Sequence, residues 1–148
     1  MAVSDSKEVV IEASPAEVLD AIADVESSPE YTSAQQSAQI LETGDDGRPR
    51  KVKMKVKSAG ISDELVLDYT WADDVVSWTL VSAKSLRAQD GKYTVKADGG
   101  KTRVKFELTV DLSVPLPGFV LKKAIKGAMN DATDGLRKHI LSQKKGGR

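Results

Sequence analysis

From residue 36 to residue 112 the chain alternates apolar and polar positions with a period of two, and near both ends the period changes. "KEVVIEA", residues 7–13, is rich in β-branched side chains and predicts a first strand ending near Ala13. Ser14, Pro15 and Glu17 then supply an N-cap, a proline in the first helical turn and the glutamate of a capping box, so a helix begins at once. Val18, Leu19, Ile22 and Val25 share one face of it, and "SSPEYTSA" at 27–34 breaks it and predicts a short second helical turn containing Tyr31.

Strands follow at 36–44, with Ile40 or Leu41 inward, and at 50–59, with Val52, Met54 and Val56 opposite Lys51, Lys53, Lys55 and Lys57; the turn "GDDGRP" separates them. "DELVLDYTW" sets Leu65, Leu67, Tyr69 and Trp71 together, and after the Ala-Asp-Asp turn "VVSWTLV" does the same for Val76, Trp78 and Leu80. A bend at Ala83–Ser85 leads to "LRAQDGKYTVKA", where Gly91 inside a strand pattern predicts a bulge. "DGG" at 98–100 is a hairpin turn, and Val104, Phe106, Leu108, Val110 and Leu112 give the last strand the cleanest alternation in the chain.

The stretch 113–140 has helical spacing. Leu121, Ile125, Met129, Ala132, Leu136 and Ile140 fall within about 100° of one another on the wheel, and Ala124, Ala128 and Gly135 occupy the adjoining sector. A small stripe beside a bulky one lets the helix approach a sheet closely or leaves a hollow between them. The predicted order is a strand, two helices, six strands and a long helix. Antiparallel neighbours joined by short turns, with one apolar face, require a cover, and the last helix is the available one. A sheet of about seven twisted strands curves around such a helix, and only two Trp, three Tyr and two Phe are present to fill its interior.

Composition narrows the classes. At 148 residues and 40% hydrophobic content the chain suits one domain, residues 1–148, with residues 142–148 expected as a frayed tail. Twenty-two basic and 22 acidic residues cancel. That balance gives no field favouring nucleic acid, which is not expected as a partner. Cysteine is absent, the start lacks an export signal and no apolar run is long enough to span a bilayer, so a cytoplasmic protein is expected. The ridge of Lys51, Lys53, Lys55 and Lys57 predicts a solvated outer face, shared with Glu64, Asp68 and Glu107, that could serve a transient membrane or protein contact. A monomer or weak dimer is expected. No cofactor motif is present, and one histidine without cysteine leaves no expected metal site.

The pieces "VVIEASPAEVLDAIADVESSPEY", "LDYTWADDVVSWTLV", "GKYTV", "KTRVKFELTVDLSVPLPGFVLKKAIKGA" and "GLRKHI" resemble, in order and over nearly the whole chain, the START-like helix-grip superfamily. Within it they are most similar to the actinobacterial polyketide cyclase/dehydrase and lipid-transport proteins. One departure is Tyr31, after Pro29 and Glu30, where relatives often carry tryptophan. The resemblance implies an α+β helix-grip fold, a curved antiparallel sheet wrapped around the C-terminal helix, with a deep apolar cavity between them. It implies a hydrophobic small-molecule ligand such as a lipid, isoprenoid, quinone or polyketide; a minority of such proteins catalyse cyclisation or aromatisation.

The expected ligand wall is Met54, Leu67, Tyr69, Trp71, Trp78, Leu80, Tyr93, Phe106 and Leu108 from the sheet, Phe119 from the loop before the helix, and Ile125, Ala128, Met129, Ala132 and Leu136 from the helix. The aromatic members read equally as a core cluster. If the cavity hosts a cyclase or dehydratase, Tyr69, Tyr93 and His139 are the candidates for proton exchange. His139, the lone histidine, reads also as a half-buried residue favourably placed at a helix C-terminus. Asp131, beside the small stripe, is the carboxylate closest to an inward position. "PLPGF", residues 115–119, either turns the chain geometrically or gates the cavity through Leu116 and Phe119. A third reading has the interior filled by the protein's own side chains, in a structural or stress-related interaction protein.

Overall fold

A computed structural model describes residues 2–146. Its strands are β1 (Ala2–Ile11), β2 (Gln35–Thr43), β3 (Pro49–Ser58), β4 (Ile61–Trp71), β5 (Val75–Ser82), β6 (Leu86–Asp98) and β7 (Lys101–Leu112). Helix α1 (Pro15–Ala23) and a 3-10 segment, Val25–Glu30, lie between β1 and β2, and α2 (Gly118–Asn130) and α3 (Leu136–Gly146) follow β7. The strands form one sheet in the order β1-β7-β6-β5-β4-β3-β2, antiparallel at every pairing. Hairpins account for five of those pairings, while β1 reaches across to the last strand, Ala2 facing Asp111 and Ile11 facing Thr102. Among the described residues no helix is long and apolar enough to cross a membrane.

Local chemistry places the elements. Ser14 Oγ accepts from Glu17 N at 3.2 Å while Glu17 Oε1 accepts from Ser14 N at 2.9 Å, completing the capping box at α1. The 3-10 segment, which contains Pro29, stops before Tyr31, so Tyr31 is a cap rather than part of the predicted turn. β1 begins at Ala2, earlier than its weakly patterned sequence suggests, because β7 supplies partners for that stretch. Ser58 pairs with Ile61, and the two residues between them, Ala59 (φ 54°) and Gly60 (φ 78°), are both left-handed, as a two-residue hairpin demands.

The predicted bulge at Gly91 is absent. Gly91 sits in regular register between Trp78 on β5 and Leu108 on β7, and the irregularity of β6 lies instead between Leu86 and Ala88. Glycine is needed at 91 for another reason: a Cβ there would come within 2.1 Å of the Trp78 indole, which lies flat across the backbone.

The terminal helix is one rod with a widened turn. Asn130, Asp131 and Leu136 all keep right-handed helical dihedrals, but over Asp131–Gly135 the pattern is that of a π-helix, and Leu136 N–H reaches the Asp131 carbonyl. This differs from the single regular helix expected after the turn at 115–119. The rod continues through Gly146, and the end of the tail expected to fray, residues 147–148, lies outside the described residues. Leu121, Ile125, Met129, Ala132, Leu136 and Ile140 are all buried, as their shared sector of the wheel predicts. Around the widened turn, Lys7 Nζ donates to Asn130 Oδ1 at 2.7 Å and Asp134 Oδ2 at 2.8 Å, and Arg137 holds Glu12 in a two-pronged contact at 2.9 and 2.8 Å. These contacts clamp the rod against the β1 side of the sheet.

Candidate functional site

Between the concave face of the sheet and the rod lies a two-lobed cavity. The wider lobe, about 350 Å³, is walled by the open ends of β3, β4, β6 and β7, by Leu116, and by Leu121, Ala124, Ile125, Gly127 and Ala128 of α2. The deeper lobe, about 160 Å³, runs under α1 and the 3-10 segment and is bounded by Met54, Leu67, Tyr69, Trp78, Tyr93, Phe106 and Ala132. Ala34, Val56, Leu65, Gln89, Leu108 and Ala128 border both lobes and mark the waist between them. A hollow of this size falls within the range of small-molecule sites, roughly 300–1,000 Å³.

The small stripe explains the hollow. Ala124 and Ala128, with Gly127 beside the stripe, present little more than backbone to the wide lobe, where a regular amphipathic helix would present leucines. At its other end the same stripe packs tightly: a Cβ on Gly135 would approach the Tyr31 carbonyl oxygen to 3.0 Å. The two alternatives for this stripe therefore both occur, room beside α2 and close approach at the widened turn.

Aromatic rings line the deep lobe as a connected set. Trp78 lies 5.2 Å from Tyr69, 5.8 Å from Tyr93 and 5.9 Å from Phe106, centroid to centroid, and Tyr93 lies 4.8 Å from Phe106. These separations are those of packed aromatic pairs, so the cluster holds its shape as a rigid wall. Tyr93 Oη donates to the Ala132 carbonyl at 2.9 Å, a carbonyl in the widened turn. Burial pushes the phenols of Tyr69 and Tyr93 up, as it does that of Tyr31, whose ring borders the deep lobe. All three are neutral hydroxyls at physiological pH. Asp131 borders the wide lobe, as its place beside the small stripe suggests, but its Oδ2 accepts from both Ser33 N at 2.9 Å and Ser33 Oγ at 2.8 Å.

Not every expected wall residue reaches the cavity. Met54, Leu67, Tyr69, Trp78, Tyr93, Phe106, Leu108, Ile125, Ala128 and Ala132 border it. Met129 and Leu136 are buried in packing against the sheet, 2% and 0% exposed, and are not part of its lining. Trp71, though in phase with Tyr69, lies past the end of the hollow; its Nε1 donates to the Pro49 carbonyl at 2.7 Å and Arg48 covers its ring at 4.7 Å. Leu80 is half-buried and also outside the lining. Phe119 is 77% exposed on the first turn of α2, while its partner in the expected gate, Leu116, does border the wide lobe. His139 packs its ring 4.8 Å from Tyr31 and stands behind it, outside the lining of either lobe.

Ser28 and Gln89 are inward polar residues that hydrophobic periodicity does not single out. Ser28 is buried, and its Oγ donates to the Val25 carbonyl at 2.7 Å. Gln89 is in phase with Gly91, Tyr93 and Val95 on β6, which is the signal that places it inside. On the outer face the lysine ridge meets acid as expected, Lys51 opposite Asp68 and Lys55 opposite Glu64, with Lys51 Nζ 3.2 Å from Glu42.

Comparison with known proteins agrees with this geometry. Residues 3–140 match the family described as polyketide cyclase / dehydrase and lipid transport. A START superfamily protein from Mycobacterium smegmatis superposes with a TM-score of 0.83 at 20% identity, over 94% of this chain and 97% of that one. The Zhui aromatase/cyclase from a Streptomyces species gives 0.80 at 13% identity, over 97% and 96%. A Thermus thermophilus protein gives 0.77 at 20% identity, over 95% and 98%. At these identities the likeness is one of fold. No curated protein matches the chain in sequence.

Proposed function

Because the chain belongs to the polyketide cyclase/dehydrase and lipid transport family, we propose that it binds and carries a hydrophobic small molecule between its sheet and terminal rod. A lipid, isoprenoid, quinone or polyketide is the class of ligand meant. The observation that carries this reading is the wide lobe of about 350 Å³ beside Ala124, Gly127 and Ala128, where the helix face is trimmed to alanine and glycine. Each 100 Å² of apolar ligand surface taken from water contributes about 2.5 kcal/mol, so such a site needs few polar contacts.

Catalysis has less support. The Tyr93 hydroxyl is committed to the Ala132 carbonyl, the Tyr69 phenol is raised by burial away from the range useful to a general base, and His139 does not border the cavity. The reading includes a cytoplasmic location for the carrier.

The test is to purify the protein from its native host without denaturant, extract it with organic solvent and identify released compounds by mass spectrometry, alongside Ala128→Phe. A phenyl ring at the waist should fill it, leaving the fold intact by circular dichroism and the extract depleted of the compound. A native extract no richer than that of Ala128→Phe, with no amide shifts at the cavity wall on titration with lipids and quinones, would refute the proposal.

A further inference from the structure

Among the described residues, one solvent-shielded polar side-chain atom at the cavity has no hydrogen-bond partner. Gln89 Oε1 is shielded from solvent and accepts no hydrogen bond. Its side chain borders both lobes, at the waist, on a strand position whose backbone pairs with Val110 of β7. An amide oxygen held out of water without a donor is costly, and buried groups of this kind are nearly always satisfied. Neighbouring polar groups have found partners: the Tyr93 hydroxyl on Ala132, Ser28 on Val25 and Asp131 on Ser33.

We propose that Gln89 is a specificity-determining residue that accepts a hydrogen bond from a hydroxyl on the bound molecule, so that the protein selects neutral, hydroxylated apolar compounds over those without a donor. This rests on the cavity-binding reading above and sharpens it. Charge supports the word neutral. Among the described residues no Lys, Arg, His, Asp or Glu borders the deep lobe, so an anionic group meets no counter-charge from them there. Among the described residues the cations that touch the cavity are Lys57 and Lys123, both exposed at the outer rim of the wide lobe. A carboxylate would be held at that rim, whereas a hydroxyl can descend to the waist, where Leu108 and Ala128 flank Gln89 with apolar surface.

The experiment uses three probes on one skeleton: 2-naphthol, 2-methoxynaphthalene and 2-naphthoate, titrated at pH 7 into the full chain and into Gln89→Leu, with Kd read from tryptophan fluorescence and calorimetry. The native protein should favour 2-naphthol over the methyl ether by about 10-fold, the worth of one buried hydrogen bond set against an unpaired acceptor. In Gln89→Leu that preference should fall to about parity, through weaker naphthol binding with the ether unchanged or tighter. 2-Naphthoate should bind the native protein more weakly than 2-naphthol. Gln89→Met serves in the same role should the leucine variant misfold, and in the native protein the Gln89 side-chain amide signals should move on addition of 2-naphthol and stay in place with the ether. Equal affinities for naphthol and ether in the native protein, or a preference that survives both substitutions, overturn the assignment of Gln89 while leaving cavity binding intact. If neither neutral probe binds, cavity binding itself fails and the assignment falls with it.

Discussion

Replacing Gly91 by alanine tests how the aromatic wall is built. The new methyl would stand 2.1 Å from Trp78 Cε2, 2.2 Å from Cζ2 and 2.4 Å from Nε1, so the indole must retreat by about 1.3 Å to regain an ordinary contact. It cannot retreat freely, because Tyr69, Tyr93 and Phe106 pack around it and the only yielding direction is into the deep lobe. Overpacking of this kind costs about 1–3 kcal/mol. With an unfolding entropy of roughly 2.1 cal/mol/K per residue, 148 residues lose about 3 °C of Tm per kcal/mol, so the expected fall is roughly 3–9 °C. Differential scanning calorimetry measures it, and a changed Trp emission spectrum should accompany it. Gly127→Ala is the control: a Cβ there meets nothing within 4 Å, and alanine in mid-helix should stabilise by roughly 0.5–1 kcal/mol. If Gly91→Ala melts within 1 °C of the parent with an unaltered emission spectrum, the indole does not lie on the β6 backbone and the account of the wall is wrong.

Other expectations follow from contacts already described. Tyr93→Phe leaves the Ala132 carbonyl without its donor and should cost about 1–3 kcal/mol in urea unfolding; an unchanged midpoint would show that the widened turn does not depend on this bond. Arg137 holds the Glu12 carboxyl down at about 2, below its ordinary 4.5, chiefly by hydrogen bonding. Because the folded-state pKa is the lower one, this contribution is present above pH 4.5 and is lost as the pH falls toward 2, so Glu12→Gln should flatten the acid limb of stability over that window. A titration of Glu12 by carboxyl NMR with its midpoint near 4.5 would contradict it. Ala59→Gly relieves a side chain held at φ 54° and should raise stability by about 1 kcal/mol, with thermal melts as the readout and a lower Tm as the disproof. Phe119→Ser, at a residue 77% exposed, should change stability by less than about 0.5 kcal/mol; a larger loss would mean that the ring is buried in solution.

Much of the architecture could be read from periodicity, because a half-buried antiparallel sheet imposes period two wherever one face is dry. The inward sets Leu65–Leu67–Tyr69 and Val104–Phe106–Leu108 are buried in the structure for that reason. What escaped notice depended on partners distant in sequence. Residues 2–6 carry little pattern, and their strand exists because β7 lies alongside. Gly91 looked like a bulge because nothing in its own strand reveals the indole that covers it from β5. Trp71 shares the phase of Tyr69, but phase says nothing about how far along the sheet the hollow extends. Gln89 had the right phase and was passed over for its polarity, although an inward polar residue is the more informative one. The widened turn at Asp131–Gly135 left no periodic mark, since Leu136 and Ile140 remain within the same broad apolar sector with or without it.

The pairing of β1 with β7 also sets a timetable for folding. The five hairpins from β2 to β7 join chain neighbours and can zip up in succession, whereas β1 must wait for a partner about 100 residues away. During synthesis the first strand emerges long before the last, and α1 with it, so for that interval Val9, Ile11 and Val18 have no sheet to cover. The terminal rod is later still and needs both Lys7 and Glu12 of the β1 side in place to seat its widened turn. The cavity is consequently among the last features to acquire its walls, which makes refolding in the presence of a cavity ligand a means of stabilising the closing step rather than the nucleus.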